Sequence, residues 1–157
     1  MDENDIIAFV SDLPGVVVDT ATEESGAPEA AWGDTFIFYD PDDSAPTYRR
    51  YPFATIVVSD YPGFDTASDL NRPGIFRLNI FVGSSMYEDL VGHPADQHAE
   101  HLSEFDFTGV DRILPHPVYG SQAWVSILNP GEATAEQARS LLLDAREKAV
   151  RRYDRRH

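Results

Sequence analysis

Five short stretches rich in aromatic and β-branched residues, at 16–20, 32–39, 53–59, 75–82 and 123–128, lie between two stretches of helical periodicity, and that order leaves few folds open. The C-terminal stretch is the clearest element. Ala138, Leu141, Leu142, Ala145, Ala149 and Tyr153 form one apolar stripe, Thr134 and Gln137 have capping-box spacing, and Asp144/Lys148 and Glu147/Arg151 are favourable i,i+4 pairs. Such a helix must bury its stripe against something. At the other end, Ile6, Phe9, Val10 and Leu13 share a face of a short helix that Pro14 and Gly15 terminate. Between the fourth and fifth strands, Ser85 and Glu88 have the spacing of a capping box opening a short helix that ends at Gly92. The expectation is an α+β domain: a largely antiparallel sheet of about five strands, with the N-terminal and C-terminal helices packed on one face. No internal repeat is present and Pro and Gly are evenly scattered, so residues 1–157 read as a single domain.

Side chains alternate along a strand, so every second residue reports what one face of the sheet requires. One set is apolar throughout: Phe36 and Phe38; Ala54, Ile56 and Val58; Phe76, Leu78, Ile80 and Val82; Ala123, Val125 and Ile127. That face takes the helices. The other set is mixed: Thr35, Ile37 and Tyr39; Thr55, Val57 and Ser59; Ile75, Arg77, Asn79 and Phe81; Gln122, Trp124 and Ser126. An arginine buried without a partner is costly, so Arg77 requires water, a carboxylate or a ligand. If the mixed face is merely solvated, Arg77 pairs with a structural acid such as Asp34 or Asp60. If it is a site, Arg77 holds an anionic or carbonyl group, Asn79 orients it, Trp124 and Tyr39 wall it, and Ser126 contributes a hydroxyl. Exposing Ile37, Phe81 and Trp124 together would be unusual for a monomer, which points to a pocket or a dimer interface.

Charge narrows the partners. The net charge is -15, yet seven of the twelve bases fall within residues 139–157 against three acids, so residues 1–138 hold five bases against 24 acids. A body this acidic repels the phosphates of a nucleic acid, and the terminal cluster is explained by the negative pole of the last helix, so no nucleic-acid partner is expected. No apolar run approaches bilayer length and the first residues are acidic, so neither a membrane nor a secretory route is expected and the location reads as cytoplasmic. With no cysteine, disulfides, thiolate metal sites and thiol nucleophiles are excluded. No phosphate-binding glycine loop, Gly-x-Ser-x-Gly or His-Glu-x-x-His occurs, and no cofactor is implied.

Among titratable groups, His116 lies between Pro115 and Pro117, whose restricted backbone would hold the imidazole stiffly, and Tyr119 follows closely. Either His116 hydrogen-bonds its own loop, or it is an acid or base with Tyr119 beside it. His93, His98 and His101 lie in a polar stretch, 93–106, expected to be exposed and mobile; His98 and His101 would share a helical face, but no zinc spacing is matched and no metal is expected. Asp65, Asp69 and Arg72 read as a solvated loop with local Asx turns.

The segments WGDTFIFYD, YPFATIVVSDYPGFD, LNRPGIFRLNIFVG and DFTGVDRILPHPVYGSQAWVSILNP, with the terminal helix, resemble domain of unknown function 6194, an actinobacterial family, over nearly the whole chain. The resemblance brings no activity and no catalytic residue. The element order, with a Trp-Val-Ser strand before a long helix, is also similar to the MmcQ/YjbR double-wing fold, whose association with nucleic acid this acidity opposes. The functional expectation is a stand-alone domain, in specialised metabolism, that binds a small anionic or aromatic molecule or performs cofactor-free catalysis on the mixed face. The alternative is a protein-interaction or homodimerisation module, so monomer and homodimer both stay open.

Overall fold

A computed structural model describes residues 1–43 and 50–156. In chain order the elements are α1 (Glu3–Ser11), β1 (Val16–Thr20), β2 (Thr35–Tyr39), β3 (Ala54–Val57), β4 (Arg77–Phe81), α2 (Ser84–Val91), β5 (Leu114–Pro115), β6 (Trp124–Leu128) and α3 (Ala135–Arg156). The strands form one six-stranded sheet in the order β1-β2-β3-β4-β6-β5, every pairing antiparallel, so the α+β expectation holds with one strand more than foreseen. Two residues ending in proline give β5 no periodicity by which to be recognised. No helix among the described residues is long and apolar enough to cross a membrane.

Helix α1 opens on a reciprocal cap in which the Asp5 backbone N–H donates to the Asp2 carboxylate and Asp5 receives the Asp2 N–H. Its apolar residues Ile6 and Val10 are fully buried, as are Ala138, Leu142 and Ala145 of α3, in a core that also takes Ile37, Ile56, Leu78, Ile80, Val125 and Ile127 from the sheet. The helix-bearing face is therefore the apolar set at β3, β4 and β6. At β2 the phase is reversed: Ile37 pairs with Ala54 and Phe36 with Thr55, so Ile37 enters the helix-side core, while Phe36 and Phe38 turn to the opposite face. Phe36 to Tyr39 is apolar or aromatic in both phases, and alternation cannot choose between them.

Two expected capping boxes do not form. The N-cap of α2 is Gly83, with a positive φ of 82° and no side-chain hydrogen bond, and Gly92 closes the helix in the left-handed region. At the start of α3 the cap comes from a distant loop: Asp111 accepts N–H bonds from Gly131, Ala133 and Thr134 and the Thr134 hydroxyl, at 2.8, 3.0, 3.1 and 2.6 Å. These donors hold the Asp111 carboxyl down at about 2.

The face opposite the helices is not open. The chain between β3 and β4 folds back over it, so Leu70 packs on Val57 and Leu128 in a second, smaller core, and Asp65 and Ser68 are buried beside Arg77. The 93–106 stretch is likewise ordered rather than loose: Ala95–Glu104 is a run of 3-10 helix, and His93 and His98 are both buried.

Candidate functional site

The sheet face away from the helices carries a closed polar layer. Arg77 is fully buried at the start of β4, and its donors are nearly all used: Nε donates to Asn79 Oδ1 at 2.8 Å, Nη1 to Asp65 Oδ1 at 3.1 Å and Ser68 Oγ at 2.9 Å, and Nη2 to Asp65 Oδ2 at 2.5 Å. Asn79 also accepts the Ser126 hydroxyl at 2.8 Å and donates to Thr55 at 3.0 Å, which fixes its amide orientation. Arg77 is thus engaged by a carboxylate, and Asn79 and Ser126 bond within the same layer. The partner is Asp65, not Asp34 or Asp60. Asp34 accepts the Val58 N–H at 2.9 Å and the Tyr61 hydroxyl at 2.5 Å, and Asp60 accepts the Leu70 N–H at 2.8 Å. Burial raises the Asp34 carboxyl, and burial together with the Asp34 contact raises the Tyr61 hydroxyl.

His116 reaches this layer. The backbone N–H of His116 donates to Trp124 O at 3.0 Å, which continues the β5–β6 ladder and places its ring on the Arg77 side, 3.4 Å from Nη2. Its Nδ1 accepts the N–H groups of Val118 and Tyr119 at 3.0 and 2.9 Å, so the ring caps its own turn. Burial, then the Arg77 charge, pushes the imidazole down to about 3. The Nδ1 lone pair is shared by two backbone donors, which is the loop-bonding arrangement that the sequence left open beside an acid or base role. Tyr119 stays partly exposed, its ring 5.0 Å from that of His116 and 6.1 Å from that of Phe64.

His93, His98 and His101 lie together around Tyr87. His98 Nε2 lies 3.0 Å from Pro117 O, which can only accept, so Nε2 carries the proton and Nδ1 receives the Tyr87 hydroxyl at 3.3 Å. The Tyr87 oxygen then accepts from His93 Nε2 at 3.1 Å, while the His101 ring stacks on His93 at 4.1 Å and bonds Glu104. Burial lowers the His93 pKa, and burial pushes Tyr87 up to about 12. The nitrogens that would ligate a metal are turned to Tyr87 and Pro117, and among the described residues no group of three or more His, Cys, Asp or Glu could hold an ion.

A cleft lies elsewhere, where the ends of β2, β4 and β6 meet the last turns of α3. Its volume is about 1000 Å³, and its walls include Tyr39, Tyr51, Phe81, Trp124 and Tyr153 together with Arg50, Lys148, Arg151, Arg152, Arg155 and Arg156. Phe81 and Trp124 are register partners whose rings stand 6.0 Å apart, and Tyr39 meets Tyr153 edge-on at 5.4 Å. Two of the expected binding residues, Trp124 and Tyr39, therefore line this cleft, although Tyr39 belongs to the helix side and not to the face of Arg77. The expected set divides, with Arg77, Asn79, Ser126 and His116 inside the closed layer.

Acids already take two of the cations: Arg50 meets Asp19, Asp40 and Asp43, and Lys148 meets Asp144. By contrast Arg152 and Arg156 stack over the exposed Tyr51 ring at 4.9 and 5.9 Å, and neither these two nor Arg151 and Arg155 forms an ion pair among the described residues. Sequence reasoning assigned these arginines to the helix pole alone. The signal that could have found them is their position one turn from a stripe ending at Tyr153.

Residues 1–157, the whole chain, match the model of a family of unknown function, DUF6194. No curated protein and no solved structure matches the chain. With its full length covered, this chain is a member of the DUF6194 family.

Proposed function

We propose that this protein binds a small anionic molecule bearing an aromatic ring, in the cleft between α3 and the strand ends. The observation that carries the reading is local: in a chain of net charge -15, four arginines without carboxylate partners among the described residues gather on the wall of a cleft of about 1000 Å³, alongside Tyr39, Tyr51, Phe81, Trp124 and Tyr153 and the paired Asp40 and Arg50. Positive charge at a concave surface attracts an anion, and guanidinium groups bind phosphate or carboxylate oxygens in pairs. Phe81 and Trp124 offer rings against which a flat ligand can pack, and the arginines near Tyr51 have cation–π partners already in place. The volume lies at the upper end for small-molecule sites.

Binding, not turnover, is the function this reading gives. What supports it is the charge and the aromatic surface of the cleft, while His116 lies in the other layer. The competing reading, an interaction or homodimerisation module, would bury Trp124 and Tyr51 against protein. Thermal denaturation with aryl phosphates, aryl carboxylates and their uncharged counterparts tests the proposal. The anionic members should raise the melting temperature and Trp124→Ala should abolish the rise. A chain that sediments as a dimer and responds to none of the compounds contradicts it.

A further inference from the structure

The proton on His116 can be located from its neighbours. Nδ1 lies 3.0 and 2.9 Å from two backbone N–H groups, which only donate, so Nδ1 has no hydrogen and the neutral ring carries its proton on Nε2. Among the described residues the polar neighbour of Nε2 is Arg77 Nη2 at 3.4 Å, and a guanidinium nitrogen also only donates. The contact is therefore between two N–H groups, not a hydrogen bond. Of the two hydrogens on Nη2, Asp65 Oδ2 takes one, and the other faces His116 Nε2 with no acceptor oxygen among the described residues. Both side chains are buried, His116 to 3% exposure and Arg77 to 0%, and buried donors are ordinarily satisfied.

We propose that His116 Nε2–H and the remaining Nη2–H of Arg77 converge on one acceptor oxygen, forming a binding site for a neutral oxygen atom. Charge selects neutrality. Asp65 already cancels the guanidinium and the imidazole is uncharged, so a phosphate or carboxylate would sit near a carboxylate with no net charge to offset it. The occupant is an ordered water or the carbonyl oxygen of a small ligand, which present the same acceptor to the same two donors. On the surface side stands the exposed ring of Tyr119, 5.0 Å from that of His116. Two fixed N–H donors on one oxygen also polarise a carbonyl, as paired donors do for a developing oxyanion. This site is separate from the cleft and stands or falls without it.

The test is a crystal structure at about 1.2 Å, where ordered oxygens are resolved, of the protein in buffer and of crystals soaked in acetamide. The expected result is a peak within roughly 2.7–3.2 Å of both nitrogens. A spherical peak in both crystals identifies water, and planar density after the soak identifies a carbonyl site. Absence of any peak in both crystals overturns the proposal. His116→Asn keeps an oxygen where Nδ1 accepts but removes the Nε2 donor; it should empty the position, and a peak that persists there contradicts the two-donor site. Should that variant not fold, nitrogen NMR of the wild-type ring still decides. An Nε2–H tautomer unchanged between pH 5 and 8 is expected, and an Nδ1–H tautomer overturns the proposal.

Discussion

Asp65 holds the guanidinium of Arg77 with both carboxylate oxygens, at 3.1 and 2.5 Å, and so ties the loop between β3 and β4 to the middle of the sheet. Neither side chain sees appreciable solvent, the exposures being 8% for Asp65 and 0% for Arg77. Removing one partner from such a pair strands the other charge. Asp65→Asn should cost about 3–5 kcal/mol in urea denaturation, whereas Asp65→Leu combined with Arg77→Met should cost less than the single change. A loss below about 1 kcal/mol for Asp65→Asn would mean that water reaches Arg77.

Acid should weaken the fold through His116. Its folded pKa of about 3 lies below the value of about 6.5 expected when unfolded, so the unfolded chain binds the extra proton first as pH falls. Stability from this group is full above about pH 6.5 and is lost progressively toward pH 3. His116→Asn, less stable at neutral pH, should show a flatter dependence between pH 6.5 and 4 when unfolding free energy is measured at each pH. Parallel curves for the two proteins would mean that the ring is solvated.

Asp111 acts in a lower window. Held at about 2 by the Thr134 hydroxyl and the N–H groups opening α3, against roughly 3.9 unfolded, it contributes above pH 4 and fades as pH drops toward 2. The stability difference between wild type and Asp111→Asn should therefore shrink across that range. Helicity followed by circular dichroism would show α3 fraying first in the variant. A pH-independent difference would remove the cap from the account.

Gly120 is fixed by contact rather than by backbone angle. A Cβ there would stand 2.6 Å from the His98 ring, whose nitrogens are bonded to Tyr87 and Pro117 and cannot yield freely. Gly120→Ala should cost about 1–3 kcal/mol, and the Gly120→Ala/His98→Ala pair should lose less than the sum of the two. An additive pair would show that the ring moves aside.

What the sequence disclosed follows from periodicity. The two terminal helices and the strands β3, β4 and β6 repeat one kind of residue on one face, and packing obeys that repeat. β2 does not, because Phe36, Ile37 and Phe38 suit either face, and only pairing with Ala54 and Thr55 settles the phase. That Arg77 required company was legible; which acid would supply it was not, since Asp34 and Asp60 are withdrawn by backbone N–H groups that no spacing reveals. The tautomer of His116 depends in the same way on where the Val118 and Tyr119 amides point. The cleft was half visible, through Trp124 and Tyr39, and its cations were hidden by an adequate local explanation at the helix pole.

Fluorescence of Trp124, isolated by Trp32→Phe, during titration with phenyl phosphate tests the cleft most directly. The account predicts a saturable change that phenol and inorganic phosphate reproduce only at much higher concentration, and a loss of affinity of roughly tenfold or more in Arg152→Glu/Arg156→Glu. No saturable change with phenyl phosphate, or equal affinity for phenol, would contradict it.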